Sequence, residues 1–436
     1  MDWEHCWGSD QFYSSCTFYR TPTGDGVVDA RFLFQARLPA KVDPRITIIT
    51  IDEPDIKQIG QYPLPDRVLA QAIRTIKSYK PRVIGLDLYR DLPTEPGHKE
   101  LVELYKTTEN LIGLEKVVGT QIAPPPTLAE LGQVGLADQV LDGDGKLRRA
   151  LLSVQQPNSS LHLNLGLQLA LRYLEAEGIT PQPQTNHRKQ IQLGKTVLVP
   201  FQPNDGGYVR ADDGGYQILL NFHGTEQQFQ TFSITALLAN KIPSQKLRDR
   251  VILIGSTADS VNDLFQTPYS NQNFGSPIQM AGVTVHANIT SMILSAALQG
   301  RPLLKVWYKP VEWLWILFWS GVGAALAWQI KSFKSLVTAV VIVEGGLMGV
   351  SYLAFLQGWW IPVAPSMMGL VIAAVTLPTV TNRQLEKTQL CQTVELLVAI
   401  SREQPAVGQI AIEYLKQAES PDNQALIEQI LRQEVL

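Results

Sequence analysis

This sequence has few cysteines and no excess of positive charge. Cys6, Cys16 and Cys391 are the only cysteines in 436 residues, too few for a disulfide framework or a zinc cluster. Cys6 and Cys16 could pair if their end of the chain lies outside the cell; otherwise all three are unpaired thiols. The formal net charge is -3, so the chain has no basic field for nucleic acid and we expect no nucleic-acid partner.

Motifs that carry catalysis are also missing. The sequence contains no nucleophile elbow, HExxH pair or serine triad signature. The C-terminal tail, residues 381–436, has no histidine to phosphorylate and one glycine, Gly408, so it lacks a glycine-rich nucleotide loop. It is also too short for a kinase or cyclase domain. We therefore predict that the protein is not an enzyme and uses no cofactor.

The N-terminal segment, residues 1–42, lacks an apolar run long enough to cross a membrane. RFLFQARLP is the nearest approach, and no signal-peptide core is present. Residues 3–22 show no periodicity that would indicate a domain. We interpret this segment as the product of a truncated or misassigned start.

Long apolar runs are concentrated in residues 311–380, where the only charged side chains are Glu312, Lys331, Lys334 and Glu344. A spanning helix needs about 20 mostly apolar residues. Three segments come close to that length, at about 312–330, 336–356 and 361–380. Tryptophans cluster at their ends, as in an interfacial aromatic belt. The sequence therefore predicts three transmembrane helices in a multi-pass protein of the plasma (inner) membrane, with the lipid bilayer as a partner.

The short loops predict the orientation of these helices. Lys331 and Lys334 place the first loop in the cytoplasm, because positive charge in short loops is retained there. The large domain before the helices then lies outside, and the tail, which begins with Arg383 and Lys387, lies inside. Arg301, Lys305 and Lys309 are positive charges on the predicted external side and argue the other way.

Glu344 lies within the second predicted span, where an ionisable side chain normally faces the interior of a helix bundle. Gly345 and Gly349 beside it form a small-xxx-small pair that lets another helix approach closely. Two interpretations remain open for Glu344: a neutral, hydrogen-bonded side chain that helps helices associate, or a relay for a proton or signal.

The region before the spans has the pattern of an α/β domain with a mostly parallel sheet. RITIITID (45–52) and RVIGLDLY (82–89) are apolar strands separated by a helical pattern, and RVILIG (250–255) is a third such strand. Asp142-Gly143-Asp144-Gly145 predicts a β-hairpin insertion, because glycine and aspartate favour tight turns. A calcium loop would need more oxygen ligands at fixed spacing. Residues 134–140 and 146–154 are the predicted arms, and residues 161–174 a helix.

Polar residues follow the ends of these strands. In open α/β sheets, ligands bind beyond the carboxyl ends of the strands. Five residues are the candidate ligand-binding set at that edge: Asp52, Asp87, Thr257, Asp263 and His286. A purely structural interpretation is also open, in which Thr257 caps a helix and Asp263 forms an ion pair. No residues are predicted to be catalytic or to bind metal.

Three stretches together resemble the type-two CHASE domain, a sensory extracytoplasmic domain of bacterial receptors. They are RITIITIDEPDI with the later YPLPDR, then PRVIGLDLY, then RVILIGSTADSVNDLFQTPYS with MAGVTVHANI. The resemblance covers residues 43–300 and extends to the three spans that follow. It implies an external sensor whose signal crosses the membrane helices, but it supplies no ligand. The sequence departs from the family in having no N-terminal span and only a short tail.

The predicted organisation is an N-terminal segment (1–42), a CHASE-like sensory domain (43–300), three membrane helices (311–380) and a helical cytoplasmic tail (381–436). The tail has apolar residues at helical spacing over 383–400, and further amphipathic pieces at 410–415 and 425–431. We expect a sensory membrane protein that detects a small-molecule or protein signal. Its tail would act on a separate cytoplasmic effector or associate with itself. The alternatives are an assembly subunit and an extracytoplasmic hydrolase.

Overall fold

The computed structural model describes residues 33–155, 161–184, 187–270 and 279–434. They form two compact units. The first comprises the described residues up to Lys309 together with Val350–Pro362, and the second comprises Pro310–Gly349 and the described residues from Val363 onward.

Strands and helices follow one another along most of the chain, and helices predominate toward its end. The strands are β1 (Asp43–Ile51), β2 (Val83–Asp87), β3 (Leu111–Glu115), β4 (Val134–Leu136), β5 (Val140–Leu141), β6 (Leu147–Gln155), β7 (Leu161–Leu163), β8 (Gln182–Gln184), β9 (His187–Leu193), β10 (Thr196–Leu198), β11 (Tyr216–Leu219), β12 (Phe229–Ser233), β13 (Val251–Ser256), β14 (Leu264–Phe265), β15 (Met280–Ala281), β16 (Lys305–Val306) and β17 (Trp359–Trp360). The helices are α1 (Glu53–Ile59), α2 (Asp66–Ser78), α3 (His98–Lys106), α4 (Pro126–Glu130), α5 (Leu165–Glu175), α6 (Ile234–Leu238), α7 (Gly282–Gln299), α8 (Lys309–Gln329), α9 (Phe333–Leu356), α10 (Ala364–Glu403), α11 (Pro405–Ala418) and α12 (Pro421–Glu434).

A six-stranded sheet in the order β12-β1-β13-β2-β3-β4 organises the first unit. Every neighbouring pair in it is parallel. Strands of a parallel sheet are covered on both faces and therefore read as continuous apolar runs. In β1, Ile46, Ile48, Ile49 and Ile51 are all fully buried, so residues on both faces of the strand are apolar. The predicted α/β fold with a mostly parallel sheet is confirmed.

Two apolar cores lie on opposite faces of this sheet. Helices α2, α3, α4 and α6 contribute to one, and α5, α7 and the smaller sheets contribute to the other. In α2, Leu69, Ile73 and Ile76 recur at helical spacing and are fully buried. Each such side chain contributes about 1.5–3 kcal/mol on burial.

The predicted hairpin is present, but its first arm is shorter than expected. Only β5 pairs with β6 across the turn, while β4 joins the main sheet beside β3. The chain leaves the main sheet near Asp138, whose carboxylate accepts hydrogen bonds from the backbone N–H groups of Val117 and Val118. The prediction of one strand over residues 134–140 was therefore wrong.

The predicted helix over residues 161–174 begins later than expected. Residues Leu161–Leu163 form β7, which pairs with β6, and the helix α5 starts at Leu165. Asn164 separates the two elements because its side-chain oxygen accepts a hydrogen bond from the N–H of Gly166 at 2.9 Å. The capping asparagine marks the boundary that periodicity alone did not show.

The helices α8, α9 and α10 are each long and apolar enough to cross a membrane. Within the second unit, α8 and α10 approach closely, because a Cβ added to Gly323 would lie 2.2 Å from the carbonyl oxygen of Leu370. Helix α10 has 40 residues, which corresponds to about 60 Å at 1.5 Å per residue. It therefore continues into the tail, where Leu390 and Val394 pack with Ile427 of α12.

The segment Val350–Pro362, which comprises the last turns of α9 and most of the connection to α10, belongs to the first unit. Phe355 is fully buried there, and its ring lies 4.9 Å from that of Phe34 in an edge-to-face arrangement. Trp360 is also buried and belongs to the same core. Strand β17 in this segment pairs in parallel with β16, which directly precedes α8.

Candidate functional site

The carboxyl edge of the main sheet carries most of the predicted site residues. Asp52 directly follows β1, Asp87 is the last residue of β2, and Thr257 directly follows β13. Because β1, β13 and β2 are adjacent and parallel, these three positions lie along one edge. Asp263 and His286 come from the segment after β13 and from helix α7.

Asp87 and His286 form the centre of this edge. The Nε2 atom of His286 lies 3.8 Å from Oδ1 of Asp87, and both side chains are at most 4% exposed. Each also has a buried polar atom without a hydrogen-bond partner among the described residues, Oδ2 of Asp87 and Nδ1 of His286. The hydroxyl of Thr284, two residues before His286, is unsatisfied in the same way. Unpaired buried polar atoms are uncommon, so this cluster has the capacity to bind a further polar group.

Burial determines the charge of both residues. It lowers the pKa of His286 to about 4, so the imidazole is neutral near pH 7. Burial, and then the nearby charge of Asp263, raises the pKa of Asp87 well above its ordinary value. The carboxyl group is therefore biased toward its protonated form, in which it can both donate and accept hydrogen bonds.

Asp263 lies against the start of helix α7. The backbone oxygen of Asp263 accepts a hydrogen bond from the N–H of Gly282 at 3.0 Å. A Cβ added to Gly282 would lie 2.2 Å from Oδ2 of Asp263, so only glycine permits this approach. Burial raises the pKa of Asp263, and Lys116 acts in the opposite direction. Asp87, Asp263 and His286 are thus three of the five predicted residues that share one environment.

Asp52 has a different local role. Its carboxylate accepts a hydrogen bond from the N–H of Asp55 at 2.9 Å, and the carboxylate of Asp55 accepts one from the N–H of Asp52. This reciprocal pair is a capping box at the start of α1. Thr257 is half-buried, and its backbone N–H donates to the carbonyl oxygen of Ile51. These contacts do not join Asp52 and Thr257 to the Asp87 group.

Three further residues belong to the same electrostatic environment and were not singled out from the sequence. Tyr62 and Tyr89 have their pKa raised by burial, and the charges of Asp87 and Asp263 add to that effect. Asp138 acts on the pKa of Tyr89 in the same direction. Tyr89 lies two residues after Asp87, and its position just beyond the end of β2 is the signal that could have identified it. Tyr62 follows helix α1 in YPLPDR, and no strand end marks it.

The aspartates of the turn at residues 142–145 form ion pairs with arginine side chains. Arg148 donates to the carboxylates of Asp142 and Asp144 at 2.8 Å, and Arg149 pairs with Asp142 at 2.9 Å. These contacts favour the structural turn over a calcium loop. Across the described parts of the chain, no group of three or more histidine, cysteine or acidic side chains is placed to hold a metal ion.

Glu344 is half-buried on helix α9. Within the described residues, a Cβ added to Gly345 or Gly349 would meet nothing within 4 Å. The small-residue face beside Glu344 is therefore open in a single chain, and its association with another helix stays a prediction.

Comparison with known proteins places these features in one family. A family model described as the CHASE2 domain matches residues 19–325, well over half of the chain. The matched range contains all five predicted residues at the sheet edge. No curated protein and no solved structure matches the chain.

Proposed function

The chain belongs to the CHASE2 domain family, a family of sensory domains, and from this premise we propose that it is a membrane sensor without chemistry of its own. Its α/β domain receives an extracytoplasmic signal, either a small molecule or a protein. Three membrane helices carry that signal to the tail, which acts on a cytoplasmic effector or on a second copy of the chain.

The observation that carries the proposal is the inclusion of Val350–Pro362 in the sensory domain. Strand β16 lies three residues before α8, and its partner β17 lies four residues before α10. Helix α9 ends at Leu356 within the same segment, next to the buried Phe355. Lys309 at the start of the first span and the last residues of the second span therefore belong to this unit, and the third span begins two residues after the unit ends. We infer that a rearrangement of the unit reaches all three spans through the chain itself.

The positive charges next to the membrane helices support an extracytoplasmic sensory domain and a cytoplasmic tail. The domain and Val350–Pro362 form one folded unit and must lie on the same side of the membrane. Lys331 lies in the loop between α8 and α9 and Lys334 in the first turn of α9, and such charges next to a short loop are retained in the cytoplasm. The sensory domain is then extracytoplasmic and the tail cytoplasmic. The proposed receiving site is the edge with Asp52, Asp87, Thr257, Asp263 and His286, centred on the buried Asp87 and His286.

The full chain in lipid nanodiscs provides the test, because a fragment ending at Gly300 would lack the buried Phe355 and Trp360. We expect a metabolite screen by thermal shift to find ligands that raise the melting temperature. Asp87→Asn and Asp263→Asn should abolish the effect, whereas the exposed Asp213→Asn should retain it. A bound ligand should also change the protease sensitivity of the tail helices.

Two results would contradict the proposal. In the first, neither small molecules nor extracytoplasmic proteins from the native cell bind the domain. In the second, a ligand binds but the tail responds identically with and without it. Turnover of a ligand by the wild-type chain, lost in Asp87→Asn, would favour the hydrolase, and a stoichiometric partner insensitive to ligands would favour the assembly subunit.

A further inference from the structure

A pocket of about 190 Å³ lies on the α2 and α3 side of the main sheet, between the segment that follows the carboxyl end of β2, helix α3 and the start of α4. Asp87 lies at the same edge but contacts helix α7, which packs on the opposite face. The pocket is therefore separate from the Asp87 group. Its apolar lining includes Leu101, Val102, Pro125 and Pro126.

Arg90 is the one arginine in the wall of this pocket, which also contains His98 and the carboxylates of Asp66 and the exposed Asp91. Its Nη1 atom donates to the carbonyl oxygen of Leu64 at 2.8 Å and to the hydroxyl of Thr94 at 3.1 Å, and lies 3.5 Å from Oδ1 of Asp66. Among the described residues, these contacts engage only Nη1 and leave the edge formed by Nε and Nη2 unused. Nε is buried and has no partner within that part of the chain. The side chain is only 3% exposed.

Tyr105 supplies a second unused group. It lines the pocket, is 2% exposed, and its hydroxyl is buried without a partner among the described residues. The side chains of Arg90 and Tyr105 lie close enough for each to act on the pKa of the other. Burying a hydrogen-bond donor without an acceptor costs free energy, and Nε of Arg90 and the hydroxyl of Tyr105 are both in this state among the described residues. A bound group rich in acceptor oxygens would satisfy both.

Asp66 contacts donors of this wall through both of its carboxylate oxygens. Its carboxylate accepts from the backbone N–H of Thr94 at 3.2 Å and lies 2.8 Å from Nδ1 of His98. Arg90 contacts the other carboxylate oxygen. Asp66 therefore acts as a positioning residue for Arg90 and His98.

We propose that this pocket binds a short organic acid. The carboxylate is held by the Nε and Nη2 edge of Arg90, which matches the two oxygens of a carboxylate, and by the hydroxyl of Tyr105. The apolar part of the acid lies against Leu101, Val102 and the two prolines. A volume of about 190 Å³ corresponds to the liquid volume of about six waters, so only a small acid fits.

The test is titration calorimetry on the full chain in nanodiscs, with butyrate, valerate and succinate as probes. We expect at least one acid to bind and its primary amide to bind about 10-fold more weakly, since the charge-assisted contact to Arg90 is lost. Arg90→Lys should weaken the acid by a similar factor, because lysine cannot form the planar fork. Arg74→Lys, an exposed change on α2, should leave binding unaltered.

Tyr105→Phe keeps the proposal testable even if Arg90→Lys does not fold. It removes a buried, unsatisfied hydroxyl, so the unliganded protein should be at least as stable as the wild type. The same change should weaken acid binding several-fold. The proposal is overturned if none of the three acids binds, if the amide binds as well as its acid, or if Tyr105→Phe binds as tightly as the wild type. This test measures binding at a site distinct from Asp87. The acid-binding proposal can therefore fail while the sensory function stands, and the sensory function can fail while acids still bind.

Discussion

Phe355 provides a direct test of the connection between the sensory domain and the membrane helices. It is fully buried, its ring contacts that of Phe34, and the guanidinium of Arg37 lies 4.3 Å from its centroid. If Phe355 only faced lipid, truncation would have little effect on the domain. If it is part of the domain core, Phe355→Ala should lower the free energy of unfolding by about 3–5 kcal/mol.

The matched control lies two residues earlier. Leu353 is in the same segment but is 59% exposed, so Leu353→Ala removes apolar atoms without opening a cavity. For a domain of this size, the Phe355 change corresponds to a fall in melting temperature on the order of 10 °C. The assay is thermal unfolding of the sensory domain in nanodiscs at one scan rate, followed by tryptophan fluorescence. Equal shifts for the two variants, or no shift for Phe355→Ala, would refute the assignment of this segment to the domain.

Two further predictions concern charges in the sensory domain. Because the pKa of His286 is lowered to about 4, its contribution to stability is complete above pH 6.5 and is lost as the pH falls toward 4, a change of about 3 kcal/mol. In His286→Gln this part of the pH dependence should be absent. The measurement is the free energy of unfolding from denaturant titrations of both proteins between pH 6.5 and 4, and identical pH profiles would contradict the prediction. Arg148→Met should destabilise by about 3 kcal/mol, because it removes the arginine shared by the buried Asp142 and the half-buried Asp144. Arg172→Met at an exposed pair should change stability by less than about 1 kcal/mol. Similar melting temperatures for these two variants would count against the buried network.

The parallel sheet could be predicted because its strands are covered on both faces. The runs RITIITID, RVIGLDLY and RVILIG are long, apolar and β-branched, and each corresponds to an observed strand. Boundaries set by single polar side chains were harder to predict. Asn164 and Asp138 end elements through hydrogen bonds to backbone that periodicity does not encode.

The anchoring of Val350–Pro362 could not be predicted from its own residues. Trp359 and Trp360 suit an interfacial aromatic belt as well as a folded core, since both environments favour large amphipathic rings. Only the tertiary structure shows that Trp360 is buried in the core and that β17 pairs with β16. Long-range pairing of two short strands leaves no local pattern in the sequence.

The candidate site was accessible from the sequence in part. Strand ends pointed to Asp87, and the start of a helix pointed to His286, which the structure places beside it. The capping role of Asp52 depends on its reciprocal contact with Asp55. Arg90 and Tyr105 were not singled out because their unused hydrogen-bonding groups become evident only when every neighbouring partner is known.

The most direct measurement of the central claim is the labelling of single cysteines in intact cells with a membrane-impermeant maleimide. Ser260, Ser332 and Ser420 are exposed positions in the domain, in the loop before α9 and in the tail, and each is changed to cysteine in a chain whose three native cysteines are replaced by serine. We predict that only Ser260→Cys is labelled in intact cells and that all three are labelled after lysis. Protection of Ser260→Cys in intact cells, together with labelling of Ser332→Cys, would contradict the account of an external sensor with a cytoplasmic tail.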